Sequence, residues 1–491
     1  MIAATMVAID STIANVALPH IQSTMSASQD QVIWVLTSYL IASAITTPLS
    51  GWLATRFGRK RVMVISVTGF TLASVLCALA NDLPTLVLAR TIQGMSGAGL
   101  IPLSQATLLD INPPENHARA MAIYGVGSML GPLVGPTLGG WLTDTYSWRW
   151  VFLINLPLGI IAGLGMAAFL SEARDPRPPR FDMFGFAAQS LALASFQLML
   201  DRGQTLDWFD ANEVRLWAGL LLVCVWLTLV HMFTGKDTFI NPRIFADRNF
   251  AVGCLVSGTV GVVSFATIPI LTVMMQSLLG YTALDTGMIG APRALGTLIS
   301  MIVVARLIGR IDTKILLITG LLLTGICQVL YARIDLSVDA HTLLVDGLVQ
   351  GIGSGLIFVP LSTVVFSTLD STLRNQGAAM YALTRNIGAS LGISMLQRQI
   401  TQQQALAQSR LAEAVRPDSP MLQWHMPDFD LGSNTTIVQM AGLIGRQATM
   451  LAYVSVYQLL AIISFCMLPA IFLMRTPRRR MAPPAALALE V

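Results

Sequence analysis

Charge is what this chain of 491 residues has least of. Asp, Glu, Lys and Arg make up 11% of it, against roughly 25% in a soluble domain. So few charges exclude a surface that faces water throughout. The five cysteines (Cys77, Cys224, Cys254, Cys327 and Cys466) all sit in apolar runs without paired or ligand-like spacing. They read as small hydrophobic side chains, which excludes a disulfide framework or a cysteine-built metal centre. A phosphate-cradling loop, a metal-ligand cluster and a nucleophile elbow are also missing from the sequence. Bound ATP is therefore excluded as an energy source, and no enzymatic constellation is in view.

What the chain has in abundance is apolar sequence. Hydrophobic residues are 54% of the total and the mean hydropathy is +0.66. A membrane-spanning helix needs about 20 mostly apolar residues. Fourteen candidate spans begin near Ile2, Val32, Val62, Pro84, Arg119, Trp150, Met183, Val214, Phe250, Asp285, Ile315, His341, Gln376 and Thr449. Lipid supplies no partners for backbone N–H and C=O groups, so such runs must be helices or a closed barrel. Their length excludes the ~10-residue alternating strands of a barrel. The expected fold class is an all-α polytopic membrane protein.

Basic residues orient the spans. Nineteen of the 30 Lys and Arg fall in alternate loops on one side, eight on the other, and Arg90, Arg293 and Arg385 within spans. The richer side is expected to be cytoplasmic, with both termini there. No charged residue precedes Asp10, so the first span reads as short and without an anchor, and a truncated or misassigned start is expected.

The chain also repeats itself. Gln93-Gly94-Met95-Ser96-Gly97 recurs as Gln350-Gly351-Ile352-Gly353-Ser354, and Pro102-Leu103-Ser104 as Pro360-Leu361-Ser362. Upstream, Leu53 to Lys60 lines up with Leu307 to Lys314 at nearly the same offset. Ordered matches in one orientation predict parallel repeats, two six-helix bundles facing each other across a cavity. The expected division is residues 1–174, an inserted pair of helices within 175–248, residues 249–474 with a long external loop at about 398–447, and a cytoplasmic tail over 475–491.

Two features carry chemistry. In the fifth span Gly127, Gly131, Gly135 and Gly139 recur every fourth residue, beside Pro132, Pro136 and Gly140. That spacing forms a smooth ridge on which another backbone can lie, and the prolines remove backbone donors and bend the helix. The matching span of the second half offers only Gly388 and Gly392, so the ridge is expected to serve function besides packing. The second feature is Asp10. An unpaired carboxylate at bilayer depth costs about 2.5–3.5 kcal/mol, so it must face protein or a wet cavity. Arg90 is its natural opposite charge, and proton coupling at this pair is set against a static structural ion pair. Arg293 and Arg385 fit anionic groups or packing equally. Asp346 and His231 lie near span ends and call for no functional explanation.

These strings resemble the major facilitator superfamily, in its fourteen-span drug:proton antiporter branch of EmrB/QacA type. Gly51 and Leu53-Ala54-Thr55-Arg56-Phe57-Gly58-Arg59-Lys60 are similar to the family's G-x-L-a-D-r-x-G-r-k loop, and Arg90-Thr91-Ile92-Gln93-Gly94 to its R-x-x-Q-G motif. Gly127 to Gly140 resembles the antiporter motif, and Ala8 to Pro19 (AIDSTIANVALP) the first-helix signature. Trp148 to Pro157 (WRWVFLINLP) and Leu200 to Phe209 (LDRGQTLDWF) resemble strings particular to the branch. Thr55 stands where the loop motif has aspartate, which puts that aspartate's latch in doubt.

The resemblance implies a gating loop at Gly51, Arg56, Gly58, Arg59 and Lys60; Asn15, Gln93, Arg293 and Arg385 are the candidates for a substrate cavity or charge network. It implies a proton-driven exporter of small amphipathic compounds in a bacterial inner membrane, without a cofactor. An EmrA-like periplasmic adaptor and an outer-membrane channel would be its partners, besides lipid, substrate and protons, and no nucleic acid. A permease for one metabolite, and a non-transporting sensor or lipid-handling protein, remain open alternatives.

Overall fold

The computed structural model describes residues 1–113, 116–171, 180–235, 238–308, 310–415 and 434–475. Its helical rods, in chain order, are α1 (Ile2–Thr24), α2 (Trp34–Phe57), α3 (Arg59–Leu79), α4 (Leu83–Ile111), α5 (His117–Thr145), α6 (Trp150–Phe169) and α7 (Met183–Thr205). They continue as α8 (Asn212–Thr234), α9 (Arg248–Leu278), α10 (Ala283–Leu307), α11 (Thr313–Tyr331), α12 (Ala340–Ser367), α13 (Arg374–Ala414) and α14 (Asn434–Cys466). Starts are set by side-chain caps that satisfy orphan N–H groups. Asp82, Asp182, Asp247, Asp312 and Asp339 each accept from the first turn of the helix that follows. Thr282 and Asp285 form a reciprocal capping box on α10.

Among the described residues eleven rods are long and apolar enough to cross a membrane: all except α2, α5 and α13. Those three have a physical reason to be more polar, because they sit where the halves meet. α2 packs on α13, and α5 packs on α10 and α12. Helices shielded by other helices need no continuous apolar coat. The interface also follows the sequence repeat, since the offset that carries α2 onto α10 carries α5 onto α13.

Hydrophobic packing between the halves lies at one end. One core joins Leu109, Met121 and Tyr124 of the first half to Phe250, Met301, Phe366 and Tyr381 of the second. That is the end bearing the basic loops. Towards the other end, separate clusters form within each half: Ile13, Val35, Phe152 and neighbours in the first, Ile270, Tyr331, Tyr457 and neighbours in the second. α7 lies beside this seam. Asp201 accepts from Thr37 of α2 at 2.9 Å, and Gln197 accepts from Ser390 of α13 at 2.9 Å. The inserted pair is pinned at its start by Asp182, which takes hydrogen bonds from Gly185 N, Phe239 N and the His231 ring.

The first helix is not short: it runs 23 residues, through Pro19. The stretch at about 398–447 is helical at both ends, because α13 continues to Ala414 and α14 begins at Asn434. Asp346 lies in the second turn of α12 and is 5% exposed. The Pro-rich 175–179 boundary and the tail beyond 475 lie outside the described residues.

Candidate functional site

α1 places Asp10 on its face towards α4 and α6, where it is 0% exposed. Three donors converge on its two carboxylate oxygens. Arg90 Nη1 reaches Oδ2 at 2.8 Å, and Gln93 Nε2 and Asn155 Nδ2 reach Oδ1 at 2.8 and 2.7 Å. Arg90 and Gln93 are one helical turn apart on α4, and Arg90 also donates to Gln93 Oε1 at 2.8 Å. Ser74 of α3 closes the ring, accepting from Gln93 and Asn155 and donating to the Phe152 carbonyl. Arg90 is itself fastened by the Val35 carbonyl and by the Tyr39 ring, whose centroid is 4.2 Å away.

This is the geometry of an ionised carboxylate: donors surround it, and no acceptor stands in its place. A buried charge is tolerable only when paired and hydrogen-bonded in this way. A proton arriving on Asp10 would remove the charge that Arg90 answers, leaving a buried guanidinium without its counter-ion.

The glycine ridge of α5 rests on the same α1. A Cβ on Gly131 would stand 2.4 Å from the Ala8 backbone carbon, and one on Gly135 or Gly139 would strike Thr12 or Ile13. Gly127 approaches Thr5, whose hydroxyl donates to the Gly127 carbonyl at 2.8 Å, whereas Gly140 meets only Val16 at 4.0 Å. The close approach is not peculiar to the first half. Gly388 and Gly392 of α13 press equally hard on Gly258 and Val262 of α9. The expected asymmetry therefore rests on Pro132 and Pro136 alone, whose side chains lie outside the described residues.

The gating loop joins the halves. A Cβ on Gly51 would stand 3.1 Å from the Asn375–Gln376 backbone of α13, and Gly58 makes the turn into α3 with φ 91°. Arg59 donates to Asp110 at 2.6 Å and to Asn375 at 2.6 Å, and Arg374 donates to the other Asp110 oxygen at 2.6 Å. Among the described residues Thr55 bonds only back to Gly51 O of its own helix. Asp110, at the end of α4, thus bridges arginines from both halves where Thr55 cannot. Arg56 is exposed and Lys60 half-buried, and neither joins this bridge.

The other candidates stand apart from Asp10. Asn15 is exposed on α1 and bonds locally to Ser11 O. Arg385 of α13 lies over the Phe265 ring at 5.8 Å. Arg293 of α10 donates to Ser264 O at 2.7 Å. Sequence reasoning missed Asn155 and Ser74. Asn155 falls inside the branch-specific string Trp148 to Pro157, the one signal that could have marked it.

Comparison with known proteins accords with this architecture. The Major Facilitator Superfamily model matches residues 1–393. The chain belongs to the major facilitator superfamily, and so is a multi-pass membrane transporter and not an enzyme. Within that superfamily it is of EmrB type. It is 32% identical over 444 residues to the multidrug export protein EmrB of Escherichia coli K12, covering 90% of this chain and 86% of that one. It is 31% identical over 479 residues to the fatty acid resistance protein FarB of Neisseria gonorrhoeae, covering 96% and 93%. The structure of the proton:xylose symporter XylE superposes with a TM-score of 0.59 at 14% identity, covering 95% of this chain and 94% of that one, a likeness of fold alone.

Proposed function

We propose that this protein is a proton-driven exporter of small amphipathic compounds, working by alternating access in a bacterial inner membrane. The observation that carries the proposal is the fully buried Asp10 with its three donors, held at membrane depth in a chain that has few charges to spend there. In this reading all fourteen rods span the bilayer and both termini are cytoplasmic. The halves 1–174 and 249–474 rock against each other beside the inserted 175–248 pair. In this reading the basic end, where the halves pack and the Asp110 bridge lies, is the cytoplasmic end.

A proton from outside would reach Asp10 and loosen the Arg90 contact. The released pair would favour separation of the Asp110 bridge at the inner end. Proton loss to the cytoplasm would restore the carboxylate and reset the cycle. One proton entering down 100 mV supplies about 2.3 kcal/mol, besides any pH gradient. The names of the relatives, multidrug export and fatty acid resistance, support outward movement of amphipathic solutes. An adaptor in the periplasm and an outer-membrane channel are the expected partners, and no bound cofactor is required.

A susceptibility screen in a host stripped of its own efflux pumps tests this reading. The intact chain should raise tolerance to some amphipathic compounds, and Asp10→Asn, at equal membrane abundance, should not. Equal protection by both proteins would remove Asp10 from the mechanism.

A further inference from the structure

The second half contains the counterpart of the Asp10 cluster, altered in a way that points to a ligand. Gln350 matches Gln93 under the repeat, and both are 0% exposed. Gln93 is fully engaged, whereas both ends of the Gln350 amide lack a hydrogen-bond partner. The same offset puts Gly347 where Arg90 stands and Thr267 where Asp10 stands. Thr267 accepts from Gln328 of α11 at 3.0 Å, so the cluster's framework persists while its carboxylate is gone.

The cation is not gone; it enters from another helix. Along the offset of the Leu53/Leu307 match, Arg293 occupies the place of Tyr39, the residue that stacks on Arg90. Its Cβ lies 3.6 Å from where a Cβ on Gly347 would be, in the room that glycine leaves. A guanidinium offers five donors. The hydrogen bond it makes here is to Ser264 O, in the π-helical segment Gly261–Phe265 of α9. Such segments shift the backbone ladder and recur at functional sites. Among the described residues Arg293 has no ion pair; the residue is half-buried, and its guanidinium is the buried end.

Other orphaned groups gather nearby. Tyr457 of α14 is 0% exposed and its hydroxyl has no partner, and Gln328 Oε1 has none either. Tyr331, whose ring centroid is 5.2 Å from that of Tyr457, has its hydroxyl beside the Cys327 sulfur. Asp346, one turn before Gln350, makes no ion pair with Arg293. An arginine without a counter-ion, beside the unpaired Gln350 amide and the Tyr457 hydroxyl, offers donors that suit an anionic head group.

We propose that Arg293, Gln350 and Tyr457 form an anion subsite in the second half, which takes the carboxylate-like head of an amphipathic substrate. This rests on the exporter reading above and adds the head-group charge that the site selects. The pair 1-pyrenebutyrate and (1-pyrenebutyl)trimethylammonium shares one apolar body and differs in head charge, so fluorescence titration into lipid nanodiscs, corrected with empty discs, reads the selection. Arg293→Gln should weaken pyrenebutyrate binding tenfold or more and leave the cation within twofold. Arg293→Lys should recover part of the loss, and Tyr457→Phe should weaken the anion by a few-fold without touching Arg293. Asp346→Asn should leave anion binding unchanged or tighten it. Equal losses for both probes, no loss for either, or an anion-selective loss in Arg385→Gln instead would overturn the assignment. Binding needs no proton gradient, so failure of proton-coupled export in proteoliposomes would count against the exporter reading and leave this result standing.

Discussion

Asp10 and Arg90 were legible in the sequence because a charge inside an apolar run is costly and therefore conspicuous. Asn155 and Ser74 were not, because small polar side chains can satisfy themselves on their own helix and carry no such cost. The structure shows them doing otherwise, and for Asn155 the consequence is measurable. Asn155→Leu removes one of three donors to Asp10. A hydrogen bond to a charged group is worth about 1.5–3 kcal/mol, so a lowered melting temperature and slowed transport are expected. Unchanged values for both would show that Asn155 is dispensable. Arg90→Lys keeps the charge but cannot serve Asp10, Gln93 and the Val35 carbonyl from one planar fork. Transport should fall to the level of Arg90→Ala despite the retained charge, and wild-type rates in the lysine variant would contradict the geometry.

Among elements, the contact of α1 with α5 is set by glycine at specific positions, not by apolar area. A methyl group on Gly131 must displace the Ala8 backbone, whereas one on Gly140 meets only Val16 at 4.0 Å. Gly131→Ala should therefore abolish transport or fold, and Gly140→Ala should do neither. Equal tolerance of both would show that the two helices do not need their close approach. The four-residue spacing announced a ridge but not its partner, since any helix could have lain on it. Nor could the sequence show that Gly258 of α9 supplies the second half's equivalent from the facing helix. The inserted α7–α8 pair depends on Asp182 in a different way. Burial alone would raise its carboxyl, but donors from Gly185, Phe239 and His231 outweigh that and hold it below its ordinary range. A depressed carboxyl contributes stability at pH above its unfolded value, about 3.9, and loses it as pH falls through the folded value. Asp182→Ala should loosen the pair at neutral pH, seen as faster proteolysis of the segment between α8 and α9, with no difference from wild type once acid has protonated the carboxyl.

At the scale of the whole molecule, the repeat outlined two bundles and the basic-residue bias an orientation, and the three rods that fall short of a spanning profile all lie at the contact between the bundles. The latch was the part least visible in advance: Thr55 removed the expected aspartate, and Asp110 lies more than fifty residues further along the chain. Asp110→Ala frees Arg59 and Arg374 together and should open the basic end. Spin labels at the exposed Arg56 and Arg310 sites, in a background without native cysteines, should report a longer distance distribution than the parent. The central claim, that Asp10 couples solute movement to protons, is tested most directly in everted vesicles energised with a proton gradient. Adding a transported compound should release protons from vesicles with the intact protein and not from those with Asp10→Asn. Proton release of equal size in the variant would contradict the account.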